Sequence, residues 1–445
     1  MRLNTSYKQI LSISVPIMLG SAAQNIIVLC DNIFLSYRSG IEFAAIGIIG
    51  VFYLIIASIG YGFSRGGQIL IARKYGERNF KGVGYYFQAL LIFELAMASV
   101  LFLFMQFGSE WFFSLFIKSE EIFRYCIDYI KPRSFGIFFS YIGVSLIALY
   151  TGIARTKFII YDTIILTIVN VFLNYVFIFG AFGIESKGIA GAGIASTIAE
   201  IIAFIAFVVY MVYDKENRQF KLLHIHHLKM DWVKQVFKTS SPVVVQSVLG
   251  IGSWFIFFSL IENIGARELE ISNILRNLYL ILSIPCWGLS AGINTMVSNF
   301  IGMKKRQAVL PLIFKTAKLD FLITLVITLP FVVFPNFFLT ILFGQGDPLL
   351  LLEIDPLMPV LLVVLLVFSV GAIYMNGLMG TGYTNIGLQI QVAGTVIYVI
   401  YVFYALKMNY WGLGWAWGSE IIYWLFMLIV CIYYLRSRRW FIRGF

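Results

Sequence analysis

The chain has 445 residues, of which 60% are hydrophobic, 17% aromatic and only 12% charged, and its mean hydropathy is +0.88. A soluble domain holds roughly 45–50% apolar and about 25% charged residues, so a water-soluble globule and a disordered chain are both excluded; unbroken apolar runs also exclude a transmembrane β-barrel, whose strands alternate with period two. The 33 Lys and Arg against 22 Asp and Glu leave a net charge of +11, which in a membrane protein points to positive-inside bias rather than to nucleic acid.

In chain order, the polar start Met1–Lys8 leads into a long apolar segment without a small-residue cleavage site, so a retained first helix is expected rather than a signal peptide. At about 20 residues per crossing, the apolar segments predict twelve spans. Six lie in the first half: Ile10–Leu35, Ala45–Ala72, Val83–Phe107, Phe135–Gly152, Phe158–Gly180 and Gly188–Val212. Six follow in the second: Ser240–Leu260, Ile274–Phe300, Val309–Phe343, Leu357–Leu378, Ile386–Leu406 and Tyr410–Tyr434. The expected organisation is an N-terminal six-helix bundle (1–213), a cytoplasmic connecting loop (214–238), a C-terminal six-helix bundle (239–435) and a basic cytoplasmic tail (436–445). With the N-terminus inside, 21 Lys and Arg fall on cytoplasmic segments and 8 on outer ones, Arg133 among the latter. That ratio fits an even number of spans in a cell (inner) membrane with both termini cytoplasmic.

The halves are related. An offset of 226 residues aligns Pro16 with Pro242, Glu42 with Glu268, Gly76 with Gly302, and Gly62, Ser64 and Gly66 with Gly288, Ser290 and Gly292. Each half holds an even number of spans, so the expected fold is an all-α polytopic membrane protein: two parallel six-helix repeats facing a central cleft, the usual substrate site in such designs.

Charged groups inside spans are functional candidates, because one at the bilayer centre costs about 2.5–3.5 kcal/mol on insertion scales. Asp162 and Asp320 fall near predicted cytoplasmic helix ends, where interfacial exposure is the simpler reading. Glu94 and Arg65 suggest a structural ion pair. Glu200 and Glu420 sit in the last span of each half, where either lines the cleft or Glu420 pairs with Arg276. Asp31 stands apart on the first helix, with Gln24 and Asn25 as hydrogen-bonding neighbours. On the fifth helix Asn170 and Asn174 are four residues apart and share a face, and Ser196 lies on the sixth. All four, Asp31, Asn170, Asn174 and Ser196, fall in the outer half of the N-terminal bundle. A carboxylate with amide and hydroxyl oxygens suits a small cation or a transferable proton. The asparagines equally suit interhelical hydrogen bonding that holds helices together.

These segments resemble the MATE (multidrug and toxic compound extrusion) family of secondary transporters over essentially the whole chain. The matching stretches are Val15-Pro16, Cys30-Asp31-Asn32, the turn Gly40-Ile-Glu42-Phe-Ala44-Ala45, Asn170-Val-Phe-Leu-Asn174-Tyr, Gly188-Ile-Ala-Gly191-Ala-Gly193-Ile-Ala195-Ser196 and Gly380-Thr-Gly382-Tyr-Thr384. The resemblance implies cation or proton coupling at Asp31, with Asn170, Asn174 and the hydroxyl of Ser196, which stands for the family's threonine, beside it. Some branches carry acids in the seventh and tenth helices. The counterparts here are Gly250 and Phe368, which favours coupling within the N-terminal bundle.

The expected function is therefore a Na⁺- or H⁺-coupled antiporter that exports drug-like or organic-cation substrates by alternating access, working as a monomer in the lipid bilayer without cofactor, metal site or nucleic acid. The alternative is a lipid-linked saccharide flippase of the same wider superfamily. Its cleft needs strong positive charge, and Arg65 and Arg276 are the in-span cations singled out for it. A channel is a further alternative. An enzyme is not expected: Gly62-Phe-Ser64-Arg-Gly66 and Gly288-Leu-Ser290-Ala-Gly292 fit the Gly-x-Ser-x-Gly hydrolase pattern, but they sit in apolar helices, and the histidines His224, His226 and His227 all fall in the connecting loop. Cys30, Cys126, Cys286 and Cys431 are isolated and read as reduced thiols.

Overall fold

The structure is a computed structural model and describes residues 3–222, 230–343, 352–408, 411–437 and 439–441. The histidine cluster and the side chains of Gln24 and Asn25 lie outside the described residues. Within them there is no strand, as hydrocarbon demands: a buried backbone group without a partner costs about several kcal/mol, and a helix satisfies its own.

The first half comprises α1 (Tyr7–Arg38), α2 (Gly40–Gly76), α3 (Phe80–Leu103), a short α4 (Ser109–Ser114), α5 (Glu120–Ser134), α6 (Gly136–Gly152), α7 (Lys157–Phe179) and α8 (Gly188–Tyr213). The second comprises α9 (Met230–Glu262), α10 (Ala266–Leu282), α11 (Ile284–Gly302), α12 (Val309–Val333), α13 (Pro335–Phe343), α14 (Met358–Gly380), α15 (Thr384–Phe403) and α16 (Leu413–Arg436). Among the described residues nine helices are long and apolar enough to cross a membrane, or eleven if each of two bent pairs counts as one. The remaining expected crossing falls on α1, 32 residues long, so the count of twelve holds approximately.

Helix starts follow from side-chain caps. Ser39 accepts from Ile41 N at α2, Asn79 from Gly82 N at α3, and Ser119 from Ile122 N at α5. Each cap satisfies one of the N–H groups that a helix start leaves without a partner. Under the 226-residue offset, α2 maps onto α10 plus α11 with the same end points. Yet α2 runs through 37 residues unbroken, whereas the α10–α11 pair bends by 46°. Pro285, at the start of α11, stands where α2 has Ile59; it removes a backbone donor and its ring clashes with the preceding turn. Both helices then end on a left-handed residue, Arg78 (φ 56°) and Lys304 (φ 60°).

The chain divides into two compact units, one of Leu19–Val244 and one of Met1–Met18 with Val245–Phe445. In the first, α2 packs on α3, α5 and α6, and α8 on α5, α6 and α7. Its core has two apolar clusters, one around Phe52, Phe113 and Tyr141, the other around Phe87, Tyr150 and Phe207. In the second, α14 packs on α11, α12 and α16. The first helix of each half therefore lends its opening turns to the unit built by the other half, and the two Gly-x-Ser-x-Gly segments receive them. A Cβ on Gly62 would stand 2.9 Å from Val244 Cα, and one on Gly66 would overlap Ser240. A Cβ on Gly288 would stand 2.8 Å from Ser14 O, and one on Gly292 would overlap the Ser14 side chain. Close backbone approach is how small residues join helices in lipid. Gly66→Val is accordingly expected to lower stability by about 1–3 kcal/mol, read as a drop in thermal midpoint in detergent. Gly250→Val, with no neighbour within 4 Å of its Cβ, should leave the midpoint unchanged.

Candidate cation site

The site is built on three helices of the Leu19–Val244 unit. Asp31 comes from the C-terminal part of α1, Asn170 and Asn174 from successive turns of α7, and Ser196 from α8. Asn174 Nδ2 donates a short hydrogen bond to Asp31 Oδ1 and also reaches Asn170 Oδ1 at 3.0 Å; Asn170 Nδ2 donates to Ser196 Oγ at 3.0 Å. The structure thus brings all four into one chain of hydrogen bonds. Asp31 is 8% exposed, and Asn174 is 0% exposed with its Oδ1 lacking a partner among the described residues. A carboxylate and an unsatisfied amide oxygen, both buried, form an acceptor-rich pair, and a proton or small cation is what such oxygens lack.

Small residues make this convergence possible. A Cβ on Gly191 of α8 would come 2.6 Å from the Phe177 carbonyl carbon on α7, and one on Gly193 would come 2.6 Å from the Tyr129 carbonyl oxygen on α5. The Gly40-Ile-Glu42 turn has a structural role beside them. Arg38 Nε donates to Glu42 Oε1 at 3.1 Å, and its Nη1 donates to Ile178 O at 2.7 Å and to Ser186 Oγ. Arg38 thereby ties the α1–α2 turn to the α7–α8 turn just outside the site.

Asp31 is buried, and among the described residues no ion pair holds it. The cation within its electrostatic reach is Arg133, and that guanidinium is engaged elsewhere. Arg133 Nη1 and Nη2 donate to the two carboxylate oxygens of Glu200 at 2.7 and 2.5 Å, and its Cζ stands 4.2 Å from the Tyr53 ring centroid. Arg133 was counted above with an outer segment. It lies instead at the end of α5, buried, where α5 and α6 bend by 54°. A Cβ on Gly136, just past the bend, would stand 2.6 Å from Glu200 Oε2, so glycine leaves room for the pair. Sequence reasoning missed Arg133 because Lys131-Pro132-Arg133-Ser134 reads as a polar connection. The available signal was Glu200 itself, since a carboxylate in mid-span calls for a partner.

The other in-span charges lie elsewhere. Glu94 accepts from Ser64 Oγ at 2.9 Å, and among the described residues no ion pair joins it to Arg65. Glu420 accepts from the indole N–H groups of Trp254 at 2.9 Å and Trp424 at 3.2 Å, whereas Arg276 lies over the Phe258 ring at 5.0 Å. Asp162 and Asp320, expected at the interface, are 8% and 0% exposed. Phe368 is buried and packs edge-on or tilted against Tyr279, Trp287 and Trp424. All four cysteines are free thiols, and the described residues hold no cluster of three metal-binding side chains.

The MatE family pattern matches residues 16–176 and again 242–404. The two matches begin at Pro16 and Pro242, the same offset that relates the halves, and together they cover well over half of the chain. The chain belongs to the MatE family. Its similarity to individual MatE proteins is low but extensive. It is 24% identical over 391 residues to a probable multidrug resistance protein NorM of Thermotoga maritima, covering 85% of this chain and 80% of that one. It is 22% identical over 275 residues to a NorM of Mannheimia succiniciproducens, covering 61% and 58%; the aligned part thus spans under two thirds of that relative. A solved outward-facing multidrug resistance MATE transporter of the MOP superfamily superposes with a TM-score of 0.88 at 17% identity, covering 97% of this chain and 95% of the other. A MATE crystal structure in the bent conformation does so with a TM-score of 0.84 at 20% identity, over 97% and 95%. At such identity the likeness establishes a shared MatE fold.

Proposed function

We propose that this MatE chain is a multi-pass cell-membrane antiporter, both termini cytoplasmic, that exports lipophilic organic cations as Na⁺ or H⁺ enters the Asp31 site. The observation that carries the reading is the buried Asp31–Asn174–Asn170–Ser196 chain, whose nearby cation among the described residues, Arg133, is committed to Glu200. A carboxylate without a fixed counter-ion is available to a mobile one. The multidrug-resistance names of the relatives support drug-like substrates, and the abundant aromatic rings suit flat cations held by ring faces. Export requires that the ion bind one of two conformations more tightly, because equal affinity shifts nothing; alternating access between those conformations then carries substrate out. The chain works as a monomer and performs no covalent chemistry.

The deciding experiment uses proteoliposomes with Na⁺ and pH gradients imposed separately. Saturable, gradient-driven exchange of organic cations is expected, and flux that ignores both gradients overturns the reading. Within the site, Asn174→Ala removes the donor to Asp31, whereas Ser196→Ala touches only Asn170. A hydrogen bond to a charged group contributes about 1.5–3 kcal/mol. Asn174→Ala is therefore expected to weaken apparent coupling-ion affinity by about tenfold or more and Ser196→Ala by less, measured as the ion concentration giving half-maximal transport.

A further inference from the structure

Glu94 on α3 and Asp320 on α12 occupy equivalent positions of the repeat, 226 residues apart, and both are 0% exposed. Glu94 Oε1 accepts from Ser64 Oγ at 2.9 Å, while its Oε2 has no partner. Among the described residues the Cys286 thiol is the one side chain in hydrogen-bonding reach of Asp320, and neither oxygen has a closer polar partner. That thiol stands 3.9 Å from Ser290 Oγ. Ser64 and Ser290 are the central serines of the two Gly-x-Ser-x-Gly segments. Each half thus sets an acid on its third helix against the serine-bearing stretch of its second.

Among the described residues no ion pair joins either acid: on α12 itself Lys315 donates to Thr5 O and stands over the Tyr7 ring while Lys318 is exposed, and on α9, whose Phe237 packs on Phe93, Lys234 and Lys238 are exposed. Around Asp320, helices α11, α13 and α14 carry no Asp, Glu, Lys, Arg or His. On α10, Arg276 lies over Phe258, Arg267 is paired with Glu270 and Glu353, and Glu268 could only repel; before α12, Arg306 binds Phe441 O. Around Glu94, α6 carries no charged side chain and places Tyr141 within electrostatic reach. Among the described residues, burial and the Ser64 hydroxyl are what act on Glu94, with no contribution from the charges of α2 or of segment 215–220. An ionised carboxylate buried without a partner costs about several kcal/mol even after relaxation, whereas a neutral acid loses only the hydrogen bonds it fails to make. One hydroxyl or thiol at each position is too few oxygens for a metal ion.

We propose that Glu94 and Asp320 are a repeat-related pair of proton-binding sites, each holding its carboxyl as the neutral acid inside its own half, separate from the Asp31 site. Their consequence is for pH. A folded chain that keeps protons the unfolded chain has released loses stability as pH rises above the ordinary carboxylate range. Neutral isosteres abolish that loss.

The test is thermal unfolding of the full chain in detergent at about pH 5 and about pH 8.5, for wild type, Glu94→Gln, Asp320→Asn and the double variant, with the infrared band of protonated carboxyls recorded alongside. The wild-type midpoint is expected to fall at the higher pH. The double variant should then melt above wild type by about 2–4 °C or more, with the gap closing in acid, and the alkaline wild type should keep a protonated-carboxyl band that weakens in each variant. Variants that melt below wild type only at alkaline pH overturn the proposal, as does a band unchanged by both substitutions. Failure of both amide variants to fold, where Glu94→Asp and Asp320→Glu fold, overturns it too, since the charge would then be required.

Discussion

Asp31→Asn is expected to fold and insert normally and to abolish gradient-driven efflux. The substitution keeps the shape of the side chain and an oxygen that accepts from Asn174 Nδ2, so the hydrogen-bond chain through Asn170 to Ser196 survives. What disappears is the charge proposed to take up the entering cation. One such ion moving down the membrane potential contributes about 2.3 kcal/mol per 100 mV, equivalent to about a fifty-fold substrate gradient at about 1.4 kcal/mol per decade. The variant should let substrate equilibrate at most, with accumulation in everted vesicles falling to the level of membranes lacking the protein under either imposed gradient. Wild-type accumulation by Asp31→Asn would remove this residue from the coupling mechanism, even with the hydrogen-bond chain intact.

Breaking the Arg133–Glu200 pair is expected to have the largest effect on stability. The side chains are 6% and 15% exposed, and the contact is bidentate. Removing one partner of a buried pair leaves an uncompensated charge and costs about 3–5 kcal/mol, whereas replacing both with apolar groups is often neutral. Arg133→Met and Glu200→Met should each lower the thermal midpoint sharply, and the double variant should recover most of the loss. Additive losses would mean that the two side chains act independently. Freed of Glu200, Arg133 also becomes available to Asp31. Glu200→Gln is therefore expected to weaken coupling-ion affinity more than its effect on folding accounts for, measured on the fraction of protein that remains folded.

The two outcomes also show what kind of statement each residue allowed in advance. Asp31, Asn170, Asn174 and Ser196 were legible as a group because their expected depth follows from position along each helix and its expected direction, and a spacing of four puts the asparagines on one face. The partners of Glu94 and Glu420 were not, because depth says nothing about azimuth. Arg65 is one residue from Ser64, yet Ser64 is the one turned to Glu94, and Trp254 and Trp424 take the place at Glu420 proposed for Arg276. Pro285 was visible in the sequence, but its bend was not read from it.

By itself the sequence determined the membrane class, the approximate number of crossings and the repeat, and it grouped the four polar residues. Each follows from a one-dimensional constraint: hydrocarbon thickness, self-satisfied backbone and equal spacing in the two halves. Only the tertiary structure decided that Arg133 turns inward at the α5–α6 bend to meet Glu200 rather than Asp31, and that Glu94 and Asp320 face serine- and cysteine-bearing stretches with no ion pair among the described residues. Those choices depend on how helices rotate and approach one another, and that is set by packing contacts such as the ones at Gly136, Gly191 and Gly193, which join residues far apart in the chain.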